Sequence, residues 1–330
     1  MFENIKFWIE NARYHAVVQS FWAALVALCV GATYSNFDIK LAIIAIIGVL
    51  FAHLSINLLD DYFDFKSGSV EKRIELEGGV RSGKCKYLLE NKATLRQLFF
   101  VAGVFGVIAS LLGLYLFFQR GIVILFLIIT AGIFGFFYSA PPLKLSYNGL
   151  GEVVVGLMFG PLLMNGVFYC ATGTISLQLF LLSLAVGALV VNILYVHSIL
   201  DKKADIAAGK KTLATILPNK FLRFFVFLIF SFYPYWIVGV GVFRYNMPKL
   251  SLLVFLTLPL VLVLAKFMYE TVAEIEKKHT PRVWMGNMEN WEKIEALGIG
   301  WFMIRWFLAR NIMVFFSFFL CFAYMARVVL

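Results

Sequence analysis

The sequence predicts an all-α polytopic membrane protein with about nine transmembrane helices. The chain has 330 residues, of which 62% are hydrophobic and 15% are charged. A water-soluble domain of this length does not need so much apolar surface, so the composition indicates a membrane protein. Mostly apolar runs of about 20 residues, the length that crosses a bilayer, occur nine times. They lie at 16–36, 38–58, 96–117, 121–139, 152–171, 176–199, 221–243, 250–270 and 306–327.

The distribution of Lys and Arg predicts the orientation of these spans. With the N-terminus in the cytoplasm, all but five of the 29 basic residues fall in cytoplasmic segments. The exceptions are Lys40, Arg120, Arg244, Lys249 and Arg327. This bias agrees with the positive-inside rule and indicates an integral protein of the bacterial inner membrane. The net charge of +10 then reflects orientation and contact with anionic lipid headgroups, not nucleic-acid binding.

The remaining segments indicate a single domain over 1–330. The four cysteines lack paired spacing, so we expect neither a disulfide framework nor a zinc site. The N-terminal MFENIKFWIENARYH lacks the features of a signal peptide and is expected to be retained. Segment 271–305 mixes tryptophans with charges, which is typical of a cytoplasmic or interfacial element before the last helix.

Two aspartate clusters stand at the ends of apolar helices. The first is NLLDDYFDFKSG (57–68) and the second is LDKKADIAAGKKT (200–212). The predicted topology places both clusters on the cytoplasmic side. Carboxylates are costly next to the hydrocarbon core, so two clusters on one side indicate a functional site. Each cluster alone could consist of ordinary helix-end charges paired with nearby lysines. Two clusters with metal-ligand spacing on one side make that interpretation the weaker one.

The spacing within each cluster suits a divalent cation. Each cluster places two aspartates three or four residues apart, which we expect to face the same way. The pairs are Asp61 with Asp64, and Asp201 with Asp205. Asp60 and Asn57 lie beside the first pair. Magnesium prefers oxygen ligands and is often held by one or two carboxylates together with substrate phosphates. The clusters therefore predict a magnesium–diphosphate site at a membrane surface.

Other polar residues are weaker candidates. Most lysines and arginines near the clusters are expected to set the topology, but Arg81 in EGGVRSGK has glycines around it that allow close approach to an anion. Lys210 in AGKKT comes next. Segment 138–152 has one lysine, Lys144, and is either a plain turn or an element that faces substrate. His53 and His197 are expected to be buried hydrogen-bonding groups, and a part in the chemistry stays open.

Three motifs together resemble the UbiA-type intramembrane prenyltransferases. They are NLLDDYFDFKSG, YSAPPLKLSYNGLGEV and DKKADIAAGKKTLA, in the order of that family and within roughly residues 15–270. The chain is most similar to the menaquinone-pathway 1,4-dihydroxy-2-naphthoate polyprenyltransferases. Gly68 agrees with this branch, because several other branches have an aspartate there. The resemblance implies nine transmembrane helices around a central cavity open to the cytoplasmic side.

The resemblance also implies roles for residues. Asp61, Asp64, Asp201 and Asp205 would hold magnesium and a polyprenyl diphosphate, supported by Asn57 and Asp60. Arg81, Lys144 and Lys210 would contact the diphosphate, and Tyr138 would line the cavity. The implied reaction ionises the allylic diphosphate and joins the carbocation to an electron-rich aromatic ring, with loss of the ring carboxylate in the naphthoate branch. Membrane lipid surrounds the protein, and no obligatory protein partner is expected.

Three alternatives stay open at this point. The acceptor could be another quinone precursor, a porphyrin or a glycerol phosphate. A cation-coupled transporter would also need acidic residues, but its site would lie near the bilayer midplane on broken helices. A phospholipid-headgroup transferase would use a single longer acidic cluster, which this sequence lacks.

Overall fold

The computed structural model describes the backbone of residues 2–72 and 85–329, and the side chains of 6–72 and 85–329. The described helices, in chain order, are α1 (Phe2–Asn11), α2 (Tyr14–Gly31), α3 (Ile39–Lys66), α4 (Lys86–Leu89), α5 (Leu95–Arg120), α6 (Ile122–Phe137), α7 (Gly151–Thr172), α8 (Leu177–Leu200), α9 (Lys202–Ala207), α10 (Leu213–Ile216), α11 (Lys220–Arg244), α12 (Leu258–Val272), α13 (Trp291–Ala296) and α14 (Gly300–Val329). Short 3-10 turns cover Leu145–Tyr147 and Val283–Met285, and a nine-residue 3-10 helix, Lys249–Thr257, leads directly into α12.

The helices confirm the predicted fold class. Within the described ranges, eight helical segments are long and apolar enough to cross a membrane, counting the 3-10 helix Lys249–Thr257 and α12 as one continuous segment, so the chain is an integral membrane protein. The ninth predicted span is α6, an apolar helix of 16 residues. Its rise of about 24 Å is a little less than the hydrocarbon core. Helix α6 is short because Pro141 and Pro142 follow it closely and cannot continue a helix.

Helix α3 extends past the predicted span 38–58 and carries all three aspartates of the first acidic cluster. Asp38 caps its N-terminus by accepting hydrogen bonds from two backbone N–H groups of the first turn. The helix ends at Lys66, and Gly68 follows with φ +71°, a left-handed conformation that glycine adopts without strain. Its 28 residues rise about 42 Å, so its last turns reach one end of the bundle.

Helices α7 and α8 approach each other closely at Gly160 and Gly187. A Cβ on Gly160 would lie 2.4 Å from the carbonyl oxygen of Ser183, so a larger residue does not fit there. Small residues allow such close approach between membrane helices. The contact brings Glu152, at the start of α7, to a hydrogen bond with Ser198 near the end of α8, 3.3 Å long.

Segment 271–305 packs against the last helix. Helix α14 begins at Gly300, earlier than the predicted start at 306. The side-chain amide of Asn311 on α14 donates hydrogen bonds to the backbone carbonyls of Met285 and Asn287, at 2.9 and 3.0 Å. Those bonds satisfy irregular backbone that lies beside a membrane-spanning helix.

A central cavity is present, as predicted. It has a volume of about 720 Å³, and its walls come from α2, α3, α5, α6, α7, α8 and the start of α14. One end contains Asp60, Asp64, Asp201 and Asp205. Toward the other end of the helices the walls are apolar and include Ala45, Leu116 and Cys170. The cavity therefore combines one polar end with a long apolar interior.

Candidate active site

The first acidic cluster divides between the cavity and its rear wall. Asp60 and Asp64 line the cavity, whereas Asp61 is 1% exposed and is absent from the lining. Around the helix axis, position 64 lies about 40° from position 60, and position 61 lies about 60° further in the same direction. The expectation that Asp61 faces the same way as Asp64 therefore differs from the structure, because the cavity lies on the Asp60 side of α3.

Asp61 instead contacts the short helix α4 and the N-terminal turn. The Tyr87 hydroxyl donates to Oδ2 of Asp61 at 3.2 Å. Burial and the charge of Asp61 raise the pKa of Tyr87. The Arg13 guanidinium lies 3.3 Å from Oδ1 of Asp61. Asp61 thus links three segments behind the cavity wall.

Arg13 is a cavity residue that sequence reasoning missed. Its Nη2 lies 3.0 Å from Oδ2 of Asp60 and donates to the backbone carbonyl of Asn57 at 2.9 Å. Burial lowers the pKa of Arg13, but the charges of Asp61 and Asp60 outweigh this effect and raise the pKa overall. The sequence offered little signal, since Arg13 precedes the first span like an ordinary topology-setting residue.

Asn57 and Asp60 are tied to neighbouring segments. The Asn57 side chain lines the cavity and donates to the carbonyl of Ala12 at 2.9 Å. Asp60 accepts a hydrogen bond of 2.5 Å from the hydroxyl of Ser139, which follows α6. These bonds hold the start of α2 and the end of α6 against α3.

The second acidic cluster lies where α8 meets α9. Asp201 is the residue between the two helices, and both it and Asp205 are buried and line the cavity. Oδ2 of Asp201 lies 2.5 Å from Nε2 of His197, whose ring packs edge-on against Phe302. His197 also lines the cavity and orients Asp201.

Segment 138–152 closes the polar end through Tyr147. The Tyr147 hydroxyl donates to Oδ1 of Asp64 at 2.7 Å. Its backbone carbonyl accepts from the N–H of Lys211 at 3.0 Å, so the segment also pairs with the loop after α9. In this segment the sequence pointed to Tyr138 and Lys144 but not to Tyr147. The residue joins both acidic clusters to one loop.

The predicted substrate-binding residues fall into three groups. Tyr138 and Lys210 line the cavity. Lys144 is not among the lining residues, and its Nζ lies 5.9 Å from the centroid of the Tyr147 ring. Nζ of Lys210 lies over the same ring at 5.3 Å. Arg81 lies outside the described residues.

Comparison with known proteins decides the family. A model of the UbiA prenyltransferase family matches residues 20–289. The chain belongs to this family. The match confirms the resemblance carried by the three motifs.

Two curated UbiA relatives match across much of the chain. The 1,4-dihydroxy-2-naphthoate octaprenyltransferase of Bacillus subtilis (strain 168) is 27% identical over 251 residues, which are 76% of this chain and 78% of the relative. The 2-carboxy-1,4-naphthoquinone phytyltransferase of Synechocystis sp. (strain ATCC 27184 / PCC 6803 / Kazusa) is 31% identical over 210 residues, 62% of this chain and 63% of the relative.

Solved structures share the UbiA fold at low identity. A structure described as digeranylgeranylglyceryl phosphate synthase has a TM-score of 0.59 at 13% identity, covering 98% of this chain and 99% of that chain. A UbiA homolog from Archaeoglobus fulgidus bound to GPP and Mg2+ has a TM-score of 0.54 at 12% identity, covering 97% and 99%. The likeness establishes the fold of this chain.

The oxygen donors of the cavity fit a magnesium ion that a substrate would help to hold. The described residues contain no ready-made group of three His, Cys, Asp or Glu ligands. Magnesium commonly takes one or two carboxylates and completes its shell with phosphate oxygens and water. Carboxylates from both acidic clusters line one cavity. Oε2 of Glu152, on the same wall, is buried and has no hydrogen-bond partner among the described residues.

Proposed function

We propose that the protein is a Mg2+-dependent prenyltransferase that moves a polyprenyl group from a polyprenyl diphosphate to 1,4-dihydroxy-2-naphthoate, in menaquinone biosynthesis. The observation that carries the proposal is the single cavity with carboxylates from two helix ends at one end and a long apolar interior. That combination matches a substrate with a diphosphate head and a hydrocarbon tail. A small ion or an ordinary metabolite would not need the apolar interior.

The diphosphate head would lie between the acidic clusters. Asp60, Asp64, Asp201 and Asp205 supply the oxygen ligands for magnesium on the cavity wall, and Asp61 supports Arg13 from behind. When bound, magnesium would neutralise negative charge on the diphosphate as it leaves. Arg13 and Lys210 line the same end and are placed to hold phosphate oxygens. The solved UbiA homolog with GPP and Mg2+ supports this arrangement by likeness of fold.

The remaining predicted residues complete the head site. Asn57 and Tyr138 line the cavity and would contact the diphosphate head of the donor or the residues that bind it. Lys144 would act from outside the wall by placing Tyr147, whose ring it approaches. Arg81, in its glycine-rich sequence, remains a proposed diphosphate contact.

The prenyl tail would lie in the apolar interior, whose length can be measured along α3. From Asp64 to Ala45, both on the cavity wall, the helix rises about 28 Å. Glycines on three helices widen this path, namely Gly48, Gly106 and Gly132. Long lipid tails gain free energy when their methylene groups leave water for an apolar surface, so this length favours a polyprenyl donor.

The chemistry follows from these surroundings. The allylic carbon–oxygen bond breaks, and its electron pair leaves with the diphosphate. The resulting carbocation lies in a cavity whose apolar walls exclude water, near the aromatic rings of Phe159 and Trp306. The acceptor ring then supplies an electron pair for the new carbon–carbon bond, and the ring carboxylate leaves as carbon dioxide. The electron pair of the broken carboxyl bond restores the aromatic ring.

The naphthoate acceptor is supported by relatives from two bacteria. The Bacillus subtilis and Haemophilus influenzae relatives are both named 1,4-dihydroxy-2-naphthoate octaprenyltransferase, the latter at 26% identity over 223 residues. Gly68, with φ +71°, occupies the position where several other branches have an aspartate. The acceptor would enter as an acid and leave as a prenylated quinol.

We infer a bacterial inner-membrane location with the N-terminus and the polar end of the cavity in the cytoplasm. The distribution of basic residues supports this orientation, because only five of the 29 lie outside the segments assigned to the cytoplasm. The chain would form one domain over 1–330, with 271–305 at the membrane interface. The four native cysteines are buried, so single cysteines are introduced at exposed loop positions. Labelling them from either side of sealed vesicles tests this orientation.

An in vitro assay tests the function. Purified protein is incubated with a radiolabelled polyprenyl diphosphate, magnesium and a panel of acceptors. The panel contains dihydroxynaphthoate, hydroxybenzoate, homogentisate, heme and a glycerol phosphate. Magnesium-dependent labelling of dihydroxynaphthoate that chelation removes is the expected result. Labelling of another acceptor would keep the chemistry and replace the substrate, and absence of diphosphate binding would refute the proposal.

A further inference from the structure

A buried polar pair lies deeper in the cavity than the acidic clusters. Oγ of Ser20 on α2 is 2.6 Å from Nδ1 of His53 on α3. Both residues line the cavity, and they are 1% and 9% exposed. The His53 ring packs edge-on against Phe159, with centroids 5.1 Å apart. Two contacts therefore fix the orientation of the imidazole.

The proposed role of the pair depends on which atom of the Ser20–His53 contact is the donor. The 2.6 Å contact is compatible with donation in either direction, according to the tautomer of His53. We assign the Ser20 hydroxyl as the donor, because Oγ has no other hydrogen-bond partner among the described residues. A neutral imidazole that accepts at Nδ1 carries its own hydrogen on Nε2. Nε2 makes no hydrogen bond to a described residue, and the His53 side chain lines the cavity. His53 thus presents an N–H donor to the lumen.

The pair has a defined place relative to the diphosphate site. His53 is seven residues before Asp60 on α3, and Ser20 on α2 is seven residues after Arg13, which directly precedes that helix. Seven helical residues rise about 10 Å. The two antiparallel helices therefore carry a charged pair at the polar end and a neutral polar pair about 10 Å further in. We place the acceptor ring in the interval between these two polar positions.

We propose that His53 binds the carboxylate of the aromatic acceptor through its Nε2–H, with Ser20 as the positioning residue that holds the required tautomer. This inference rests on the proposed function and adds the residue that selects a carboxylated ring. A hydrogen bond to a charged oxygen is stronger than one between neutral groups, and the walls around His53 are mostly apolar. The bond from Nε2–H to the carboxylate would therefore contribute strongly to the affinity for the acceptor. A hydroxyaromatic without the carboxylate gains no such bond.

The test uses two competitors with the same ring system, 1-hydroxy-2-naphthoate and 1-naphthol. Their dissociation constants are measured by calorimetry, and their inhibition constants in the transfer assay. In His53→Phe we expect the affinity for 1-hydroxy-2-naphthoate to fall about 10- to 100-fold, with little change for 1-naphthol. KM for the polyprenyl diphosphate stays the same. His53→Gln, whose amide can donate from a similar position, recovers part of the affinity.

Ser20 is tested through the same readout. In Ser20→Ala the imidazole can take either tautomer, so the preference for the carboxylated ligand falls, whereas Ser20→Thr keeps the hydroxyl and the preference. The matched control is Ser231→Ala, because Ser231 accepts from Asn192 in another buried pair that does not line the cavity. This control leaves both affinities unchanged.

The outcomes separate this inference from the proposed function. Equal affinity of wild type and His53→Phe for 1-hydroxy-2-naphthoate would overturn the role of His53. Equal losses for both ligands would overturn the carboxylate as the group that is bound. Failure of wild type to transfer any prenyl group would instead refute the proposed function, and the calorimetric comparison would still decide whether His53 binds the carboxylate.

Discussion

The hydroxyl of Tyr147 donates a hydrogen bond of 2.7 Å to Oδ1 of Asp64, across 83 positions of the sequence. This bond ties the loop between α6 and α7 to the first acidic cluster. Lys210 lies over the same ring, at 5.3 Å from Nζ to the centroid. Tyr147 therefore holds a carboxylate and a lysine that come from opposite sides of the cavity mouth.

Tyr147→Phe is expected to lower kcat/KM by about tenfold, the effect of losing one hydrogen bond to a charged group. The ring stays in place, so Lys210 keeps its aromatic contact. Steady-state kinetics with varied magnesium measures the change. Tyr324→Phe is the control, because the Tyr324 hydroxyl donates to Gln178 outside the cavity. Equal activity of Tyr147→Phe and wild type would contradict a role for the bond.

Asp64→Asn and Asp61→Asn are expected to differ. Asp64 lines the cavity, so its loss should reduce kcat at least about 100-fold and raise the magnesium requirement, without lowering the melting temperature. Asp201→Asn should behave like Asp64→Asn. Asp61 contacts Arg13 and Tyr87 behind the cavity wall. Asp61→Asn should therefore lower the melting temperature, unlike Asp64→Asn. Thermal unfolding and magnesium titration of the purified variants distinguish the two patterns.

Arg13→Met is expected to raise KM for the polyprenyl diphosphate and to destabilise the protein. Arg13 pairs with both Asp60 and Asp61, so its removal leaves two neighbouring carboxylates without the cation that balances their charge. The loss should be smaller than the ~3–5 kcal/mol of a fully buried pair, because the Arg13 side chain is 38% exposed. Lys6→Met is the control, since Lys6 is exposed and pairs only loosely with Glu10 at 3.9 Å. Unchanged donor KM in Arg13→Met would remove Arg13 from the diphosphate site.

Gly132→Leu is expected to shorten the tail that the cavity accepts. Gly132 lines the apolar interior, and a Cβ there would meet no atom within 4 Å, so a leucine side chain has room to enter the lumen. KM should rise for long polyprenyl donors and stay near wild type for geranyl diphosphate. Gly103→Leu is a matched control, because Gly103 has the same open surroundings but does not line the cavity. A uniform effect on all chain lengths would place the tail elsewhere.

Lys210→Ala should weaken donor binding more than Lys144→Ala does. Lys210 lines the cavity, whereas Lys144 is outside the lining and can act only through Tyr147. Binding of a labelled polyprenyl diphosphate to both variants measures the difference. Stronger weakening in Lys144→Ala would show that Lys144 reaches the substrate directly.

Much of the architecture follows from local sequence. Each predicted span corresponds to an observed helical segment, with 250–270 divided between the 3-10 helix Lys249–Thr257 and α12, because long apolar runs must satisfy their backbone hydrogen bonds internally in a bilayer. The ends were less predictable. Helix α3 continues through the acidic cluster to Lys66, and α14 starts at Gly300, since polar residues can extend a helix beyond the hydrocarbon core.

The sequence by itself determined the fold class, the family and the two acidic clusters, because each of these depends on residues that are near one another along the chain. Only the tertiary structure decided which carboxylates face the cavity. Whether Asp60 or Asp61 turns inward depends on the rotation of α3 within the bundle, and helix packing sets that rotation. The same packing brings Arg13, Tyr147 and the Ser20–His53 pair to the cavity wall from distant parts of the chain.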